Sequence, residues 1–252
     1  CKKALVEAHG DHEKAIEILR KKGQKVAANR AERESNEGVV LLKVNQEKSE
    51  GVIISLNCET DFVAKNKDFL NFATEILNIA ENVNSIDDLL NSKTGSLTIA
   101  DKLVEQTGII GEKIEIGNFQ KISGKHIGGY VHAGNKIASL VALSDSLPFS
   151  DEVSKNVAMQ VAAMNPLALN QNSVDSSVVE KETEIIKEQL INEGRPEKII
   201  DNIIVGKLKR FYKDNTLINQ TFIKDSKISV QDYVKSTDKN LSIKSFVRVS
   251  LV

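Results

Sequence analysis

The sequence predicts an α+β fold of two related subdomains, each with a small antiparallel sheet and flanking helices. Three observations carry this. Runs rich in β-branched and apolar residues surround polar turns at 39–56 and again at 129–143, the pattern of a β-hairpin. Each hairpin is followed by a stretch with apolar residues at helical spacing. Each unit then closes on a further strand-like segment, Ile114 and Ile116 in the first and Ile243–Val249 in the second. The order hairpin, helix, helical connection, closing strand occurs twice, with little residue identity between copies.

In chain order, residues 1–23 read as two short helices. Ala4, Leu5 and Ala8 form one apolar strip, and Ala15, Ile16 and Leu19 the other. Gly10 ends the first and Asp11 caps the second. Two such helices bury too little to stand alone, and the chain opens inside a helical pattern, so a partner helix upstream is expected. Residues 24–37 are polar and charged and read as a linker, in part helical. Residues 38–125 form the first core subdomain. Its helix carries Phe69, Phe72, Ala73, Ile76, Leu77 and Ala80 on one face, with Asn66 as cap. Thr98 and Asp101 have the spacing of a capping box. Residues 126–252 form the second core subdomain. Ser150 is the expected cap of its helix, and Asn165-Pro166 the expected end. Within it, 177–212 reads as an antiparallel helical hairpin that projects from the core. Val178, Ile185, Ile186 and Leu190 face Ile200, Ile203, Ile204, Leu208 and Phe211, and Glu193-Gly194-Arg195-Pro196 makes the turn.

Composition narrows the function. With 252 residues, 40% hydrophobic and 27% charged, the chain can bury a sizeable core. A net charge of −1 and 4% aromatic content argue against direct nucleic-acid binding. Two cysteines do not make a disulfide scaffold, and a reducing cytoplasm is the expected location. No apolar run is long enough to span a membrane. Four scattered histidines offer no metal-site spacing. Ser123-Gly124-Lys125-His126 lacks the first Gly and the last Ser or Thr of a phosphate loop, and reads as a linker turn. Gly128-Gly129 is too short for a dinucleotide fingerprint. The basic groups Arg20-Lys21-Lys22 and Lys207-Lys209-Arg210 read as charge near helix C-termini. His132 reads as a surface residue of the second hairpin turn. The common enzyme signatures are absent, and no metal site or cofactor loop is legible in the spacing.

One segment stands apart. Thr60-Asp61-Phe62-Val63 follows a strand and precedes a helix. Phe62 either packs as a staple over that helix's first turn or protrudes as a binding wedge beside a carboxylate. Residue chemistry leaves both open.

At this point a resemblance enters. Asn57-Cys58-Glu59-Thr60-Asp61-Phe62-Val63-Ala64-Lys65-Asn66 resembles the signature of the elongation factor Ts family. Cys1–Leu5 with Gly10-Asp11 and Ala15-Ile16 is similar to that family's N-terminal ubiquitin-associated-like helical module, here incomplete. Tyr130–Ile137 is similar to its second core motif, with Lys136 where the family usually carries Arg. Ala158–Ala163, Val179–Glu182, Gly194-Arg195-Pro196 and Lys207–Phe211 match further along. The resemblance implies a guanine nucleotide exchange factor whose partner is elongation factor Tu. Thr60, Asp61, Phe62 and Val63 would dislodge Mg²⁺ in that partner, with Asp61 and Phe62 as the acting pair. His132 and Gly134 would make a secondary contact. A rival reading is an adapter or chaperone-like translation protein that binds without exchange.

Overall fold

The computed structural model describes residues 2–251; Cys1 lies outside them. Two helices open the chain, α1 (Lys2–Glu7) and α2 (His12–Arg30). Asp11 caps α2 by accepting from the Lys14 N–H at 3.1 Å. The helix does not stop at residue 23. It runs through much of the expected linker to Arg30, because no Pro interrupts residues 24–30 and because it packs on a later helix at Gly23. Residues 31–36 are tied down as well. Ser35 is buried and donates to Glu115, while the Asn57 side chain donates to the Ser35 carbonyl at 2.9 Å. Arg20–Lys22 therefore sit mid-helix, and Lys21 and Lys22 pair with Glu17 and Glu7. Ala4, Ala8 and Ala15 pack with Leu5 and Ile18. Ile16 and Leu19 are exposed instead, since Ile18, three residues on, shares the Ala15 face.

The first subdomain begins with the hairpin β1 (Glu37–Val44) and β2 (Glu50–Cys58), in register from Glu37↔Cys58 to Val44↔Gly51. One helical turn, α3 (Asp61–Ala64), leads into α4 (Lys67–Ala80) and α5 (Ile86–Asn91). A short ribbon, β3 (Lys93–Thr94) and β4 (Leu97–Thr98), precedes α6 (Ile99–Ile110), and β5 (Glu115–Ser123) closes the unit by pairing with β2. Asn66 and Thr98 cap α4 and α6 through the N–H groups of Asp68 and Asp101.

The second subdomain repeats this order. The hairpin β6 (His126–Val131) and β7 (Ile137–Leu143) leads into α7 (Ser150–Met164). Then come α8 (Ser176–Asn192), α9 (Glu197–Asn215), the ribbon β8 (Thr221–Phe222) and β9 (Asp225–Ser229), and α10 (Val230–Thr237). Finally β10 (Ile243–Ser250) pairs with β7. Sheet orders β1-β2-β5 and β10-β7-β6 show the same plan: the hairpin's second strand is central and the closing strand takes its free edge.

The two sheets pack face to face. Val39, Val52, Ile54 and Leu56 meet Phe69, Phe72 and Ile76 of α4. Their strand neighbours Val40 and Ile53 point the other way, against Ile127, Ala138, Leu140, Val247 and Val249 of the second sheet. Val141 and Leu143 then face Val153, Val157 and Val161 of α7. The layers run helix, sheet, sheet, helix. Central strands buried on both faces explain why these runs are continuously apolar rather than alternating. Gly128 and Gly129 serve close approach: a Cβ would lie 2.0 Å from Ser154 Oγ at the first and 2.9 Å from Leu42 at the second. The turns lock the seam reciprocally. Val40 N–H donates to the Asn135 carbonyl, and Ile127 N–H to the Lys48 carbonyl, both at 2.7 Å.

Two expectations change in detail. Ser150 is not the cap of α7. It is buried as the first helical residue, and its Oγ accepts from Leu147 N–H and donates to the Asp145 carbonyl, bracing the entry to the helix. The α8–α9 pair has its own core of Ile186, Leu190, Ile200 and Ile204, joined by Ile203 and Leu208. Val178 and Ile185 lie outside it and are exposed. Residues 185 and 186 differ by about 100° around the helix, so one neighbouring helix cannot cover both. At the hairpin turn, Gly194 has φ +71°, and the N–H groups of Gly194 and Arg195 donate to the Ile191 and Leu190 carbonyls. That left-handed C-terminal motif suits glycine.

Candidate functional site

The turn after β2 is presented outward from a braced base. Thr60 caps α3, its Oγ1 facing the Val63 N–H at 3.5 Å. Val63 points inward and packs on the first core. Asp61 pairs with Lys65 at 2.6 Å. Phe62 points away from the body and is 83% exposed. The staple alternative is thereby excluded, since the ring covers nothing on the helix it precedes. Among the described residues it is the most exposed of the large apolar side chains.

Cys58 and the two residues after it anchor the turn. The Cys58 thiol is buried and donates to the Thr60 carbonyl at 3.2 Å; burial, with Glu112 nearby, pushes it up to about 12. It is thus an inert packing group rather than a nucleophile. Glu112 accepts from Thr60 N–H at 3.0 Å and from Thr60 Oγ1 at 2.7 Å. Glu59 accepts from Lys113 N–H at 2.7 Å and from Arg30 at 2.7 and 2.8 Å. Burial works against the charged form of Glu59. The Lys113 N–H, Arg30 and Arg33 outweigh it and hold the carboxyl below its usual range. These partners lie ~30 and ~50 residues away in sequence, beyond the reach of any local signal.

The second motif turn lies near the first. Gly134 and Asn135 both adopt positive φ, +88° and +55°, which reverses the chain between β6 and β7. His132 is exposed, and its Nδ1 lies 3.0 Å from the Tyr130 hydroxyl. Lys136 pairs with Glu37 at the start of β1. Asp61 feels both cations: the Lys65 ammonium bonded to it, then the more distant Lys136 charge, holds its carboxyl below the ordinary range. The fold therefore places one edge of charge and exposed apolar surface across the two subdomains. An open groove of about 490 Å³ lies elsewhere, between α2 and α6, lined by Ile16, Leu19, Val26, Val104 and Ile109.

Residues 59–252 match the sequence profile described as Elongation factor TS. The match starts inside the braced turn and runs through both subdomains. The chain belongs to the elongation factor Ts family. Elongation factor Ts of Christiangramia forsetii and that of Flavobacterium psychrophilum are each 55% identical to it over 251 residues, covering 100% of this chain and 92% of the relative. That of Amoebophilus asiaticus is 45% identical over 252 residues, covering 99% and 91%. Membership in the elongation factor Ts family makes this chain a translation elongation factor. Among the described residues no helix is long and apolar enough to cross a membrane.

Proposed function

We propose that this chain is a guanine nucleotide exchange factor that binds elongation factor Tu carrying GDP and promotes GDP release. The observation that carries the reading is the Phe62 ring, exposed beside Asp61 on a turn whose base is fixed. In this reading Asp61 and Phe62 enter the partner near its Mg²⁺ site, while Thr60 and Val63 shape the turn that presents them. Burying the ring on the partner is worth about 1.5–3 kcal/mol. Asp61 competes for polar partners of the metal and phosphates. Losing Mg²⁺ leaves phosphate charge uncompensated, and GDP departs. His132 and Gly134 make a secondary contact from the second turn. Linkage requires that a factor preferring the nucleotide-free partner weaken GDP by the same ratio. No bond is made or broken in the chain, so it acts by binding and not as an enzyme. Its place of work is the cytoplasm, with the translating ribosomes its partner serves.

The test is GDP dissociation from elongation factor Tu loaded with a fluorescent GDP analogue, chased with unlabelled GDP. Addition of the chain should speed release. No acceleration would leave an adapter without exchange activity as the better reading. In the Asp61→Ala/Phe62→Ala variant the acceleration should fall about a hundredfold, the equivalent of the ring's burial plus one charged contact. Full activity in that variant would remove the wedge assignment while leaving family membership intact.

A further inference from the structure

The far end of the Thr60–Val63 turn is held by Val63 and Ala64, which pack on the first core, but its leading end, Glu59–Phe62, has little packing of its own. Strand pairing ends just before it: Asn57 is the last β2 residue paired with β5. A helix of four residues is too short to persist alone. Phe62 contributes almost no packing, being 83% exposed. Two carboxylates supply what is missing. Glu112 accepts the N–H groups of Glu59 and Thr60, at 3.2 and 3.0 Å, which the sheet no longer serves. It also accepts the Thr60 hydroxyl at 2.7 Å. Glu59 reaches back to the Lys113 N–H at 2.7 Å, so residues 59–60 and 112–113 brace each other in both directions. Arg30 grips the same Glu59 with one guanidinium nitrogen on both oxygens, at 2.7 and 2.8 Å, and Arg33 adds a contact at 3.4 Å.

We propose that Glu112, Glu59 and Arg30 are positioning residues: they hold the turn in its protruding shape and couple helix α2 to it. The inference rests on the exchange reading and deepens it. These charges sit beside the turn and outside the first apolar core, whose members are residues of β1, β2, α4 and their neighbours. Their effect on exchange therefore passes through Asp61 and Phe62, and α2 becomes part of the exchange site without contacting the nucleotide-binding partner at that point. Charge-assisted hydrogen bonds suit this task because they fix direction without needing the ring to pack.

The experiment measures GDP release from elongation factor Tu at several concentrations of the full chain, with Glu112→Gln, Arg30→Met and Arg30→Lys made in the parent and in Phe62→Ala. Glu112→Gln should lower the maximal release rate about tenfold, with the half-saturating concentration changed far less, as for an interaction used in the transition state. Arg30→Met should lower it less, and Arg30→Lys should recover part of that loss by restoring the charge. In the Phe62→Ala background each substitution should cost clearly less than in the parent, because only Asp61 is left to be positioned. Amide hydrogen exchange on the free chain supplies a readout that does not depend on the partner: Glu59 and Thr60 should lose protection about tenfold in Glu112→Gln. Unchanged release and unchanged protection in Glu112→Gln would overturn the positioning role. So would equal losses with and without Phe62, because the network would then act on the fold at large. If Glu112→Gln does not fold, the two Arg30 variants carry the same comparison. If protection falls as stated but the parent chain does not speed GDP release, the exchange reading fails and the bracing stands.

Discussion

After β2 the chain enters its helices through Glu59–Asn66; after β7 it enters α7 through Ser144–Phe149. These junctions occupy the same place in the repeated plan, and each carries a phenylalanine. Phe62 stands in water, whereas Phe149, together with Leu147, packs against the second core. The second junction is folded onto its own subdomain. Ser144 N–H donates to the Ser242 carbonyl at 2.8 Å, and Ser150 Oγ closes the loop from inside. The first junction is fixed from below by carboxylates and leaves its ring unused. Topology alone does not decide which way an aromatic residue points. What decides it is whether the backbone at the junction is satisfied by the core side or by a side-chain brace that releases the ring outward.

Substitutions can break this comparison. The largest effect is expected at the first junction: the Asp61→Ala/Phe62→Ala loss in GDP release should come with a melting temperature within about 2 °C of the parent, because an exposed ring adds little to stability. Phe149→Ala should do the reverse. It should cost about 2–3 kcal/mol in urea unfolding, as for removal of a packed ring, while release per folded molecule stays at the parent level. Equal stability losses at the two positions would show that the junctions are not opposites.

The seam between subdomains provides a smaller, pH-dependent effect. His126 is buried; its Nδ1 lies 3.2 Å from Ser146 Oγ, and its Nε2 sits 3.0 Å from Asp151, off-axis for a hydrogen bond. Burial lowers its pKa, Asp151 opposes the shift, and Lys48, which bridges from the first hairpin turn, reinforces it. The folded state thus prefers neutral His126. Above the ordinary value of 6.5 both states are neutral and the full stability is present. As pH falls below 6.5 the unfolded chain takes up the proton first and stability declines. Urea midpoints between pH 7.5 and 5 should show this slope in the parent and a flatter one in His126→Gln. That window lies above the ordinary carboxyl values of 4.5 for Glu59 and 3.8 for Asp151, both lowered further in the fold. The smallest effect belongs to Lys136→Arg. It keeps the cation beside Asp61 and the pairing with Glu37, so GDP release should change less than about twofold.

Much of the architecture was legible from local pattern. The β-branched runs, Asp11, Asn66 and Thr98 as caps, and Gly194-Arg195-Pro196 as a helical turn rest on interactions within a few residues, and each forms as its chemistry demands. Ser150 misled because its hydroxyl is taken up by the Leu147 N–H and the Asp145 carbonyl, which braces the loop instead of capping the helix. Ile16, Leu19, Val178 and Ile185 misled because helical periodicity marks apolar faces without saying which face a neighbour will cover. Helix α2 outran its expected end because nothing in residues 24–30 stops a helix and the Gly23–Gly108 contact supports it there, where a Cβ on Gly108 would lie 2.5 Å from the Gly23 Cα.

By itself the sequence determined the element order, its repetition, and the family signature around Thr60–Val63, because these depend on neighbours close along the chain. Only the tertiary structure decided that two sheets stack through Val40, Ile53, Ile127 and Leu140, that the two motif turns share an edge, and that Phe62 faces water. Those outcomes depend on pairs such as Arg30 with Glu59 and Thr60 with Glu112, which come together only when distant segments close on a common core. The physical reason is range: caps, turns and periodicity act over one or two turns of chain, while the brace beneath Phe62 joins Arg30, Glu59, Thr60, Glu112 and Lys113, which only the closed fold brings together.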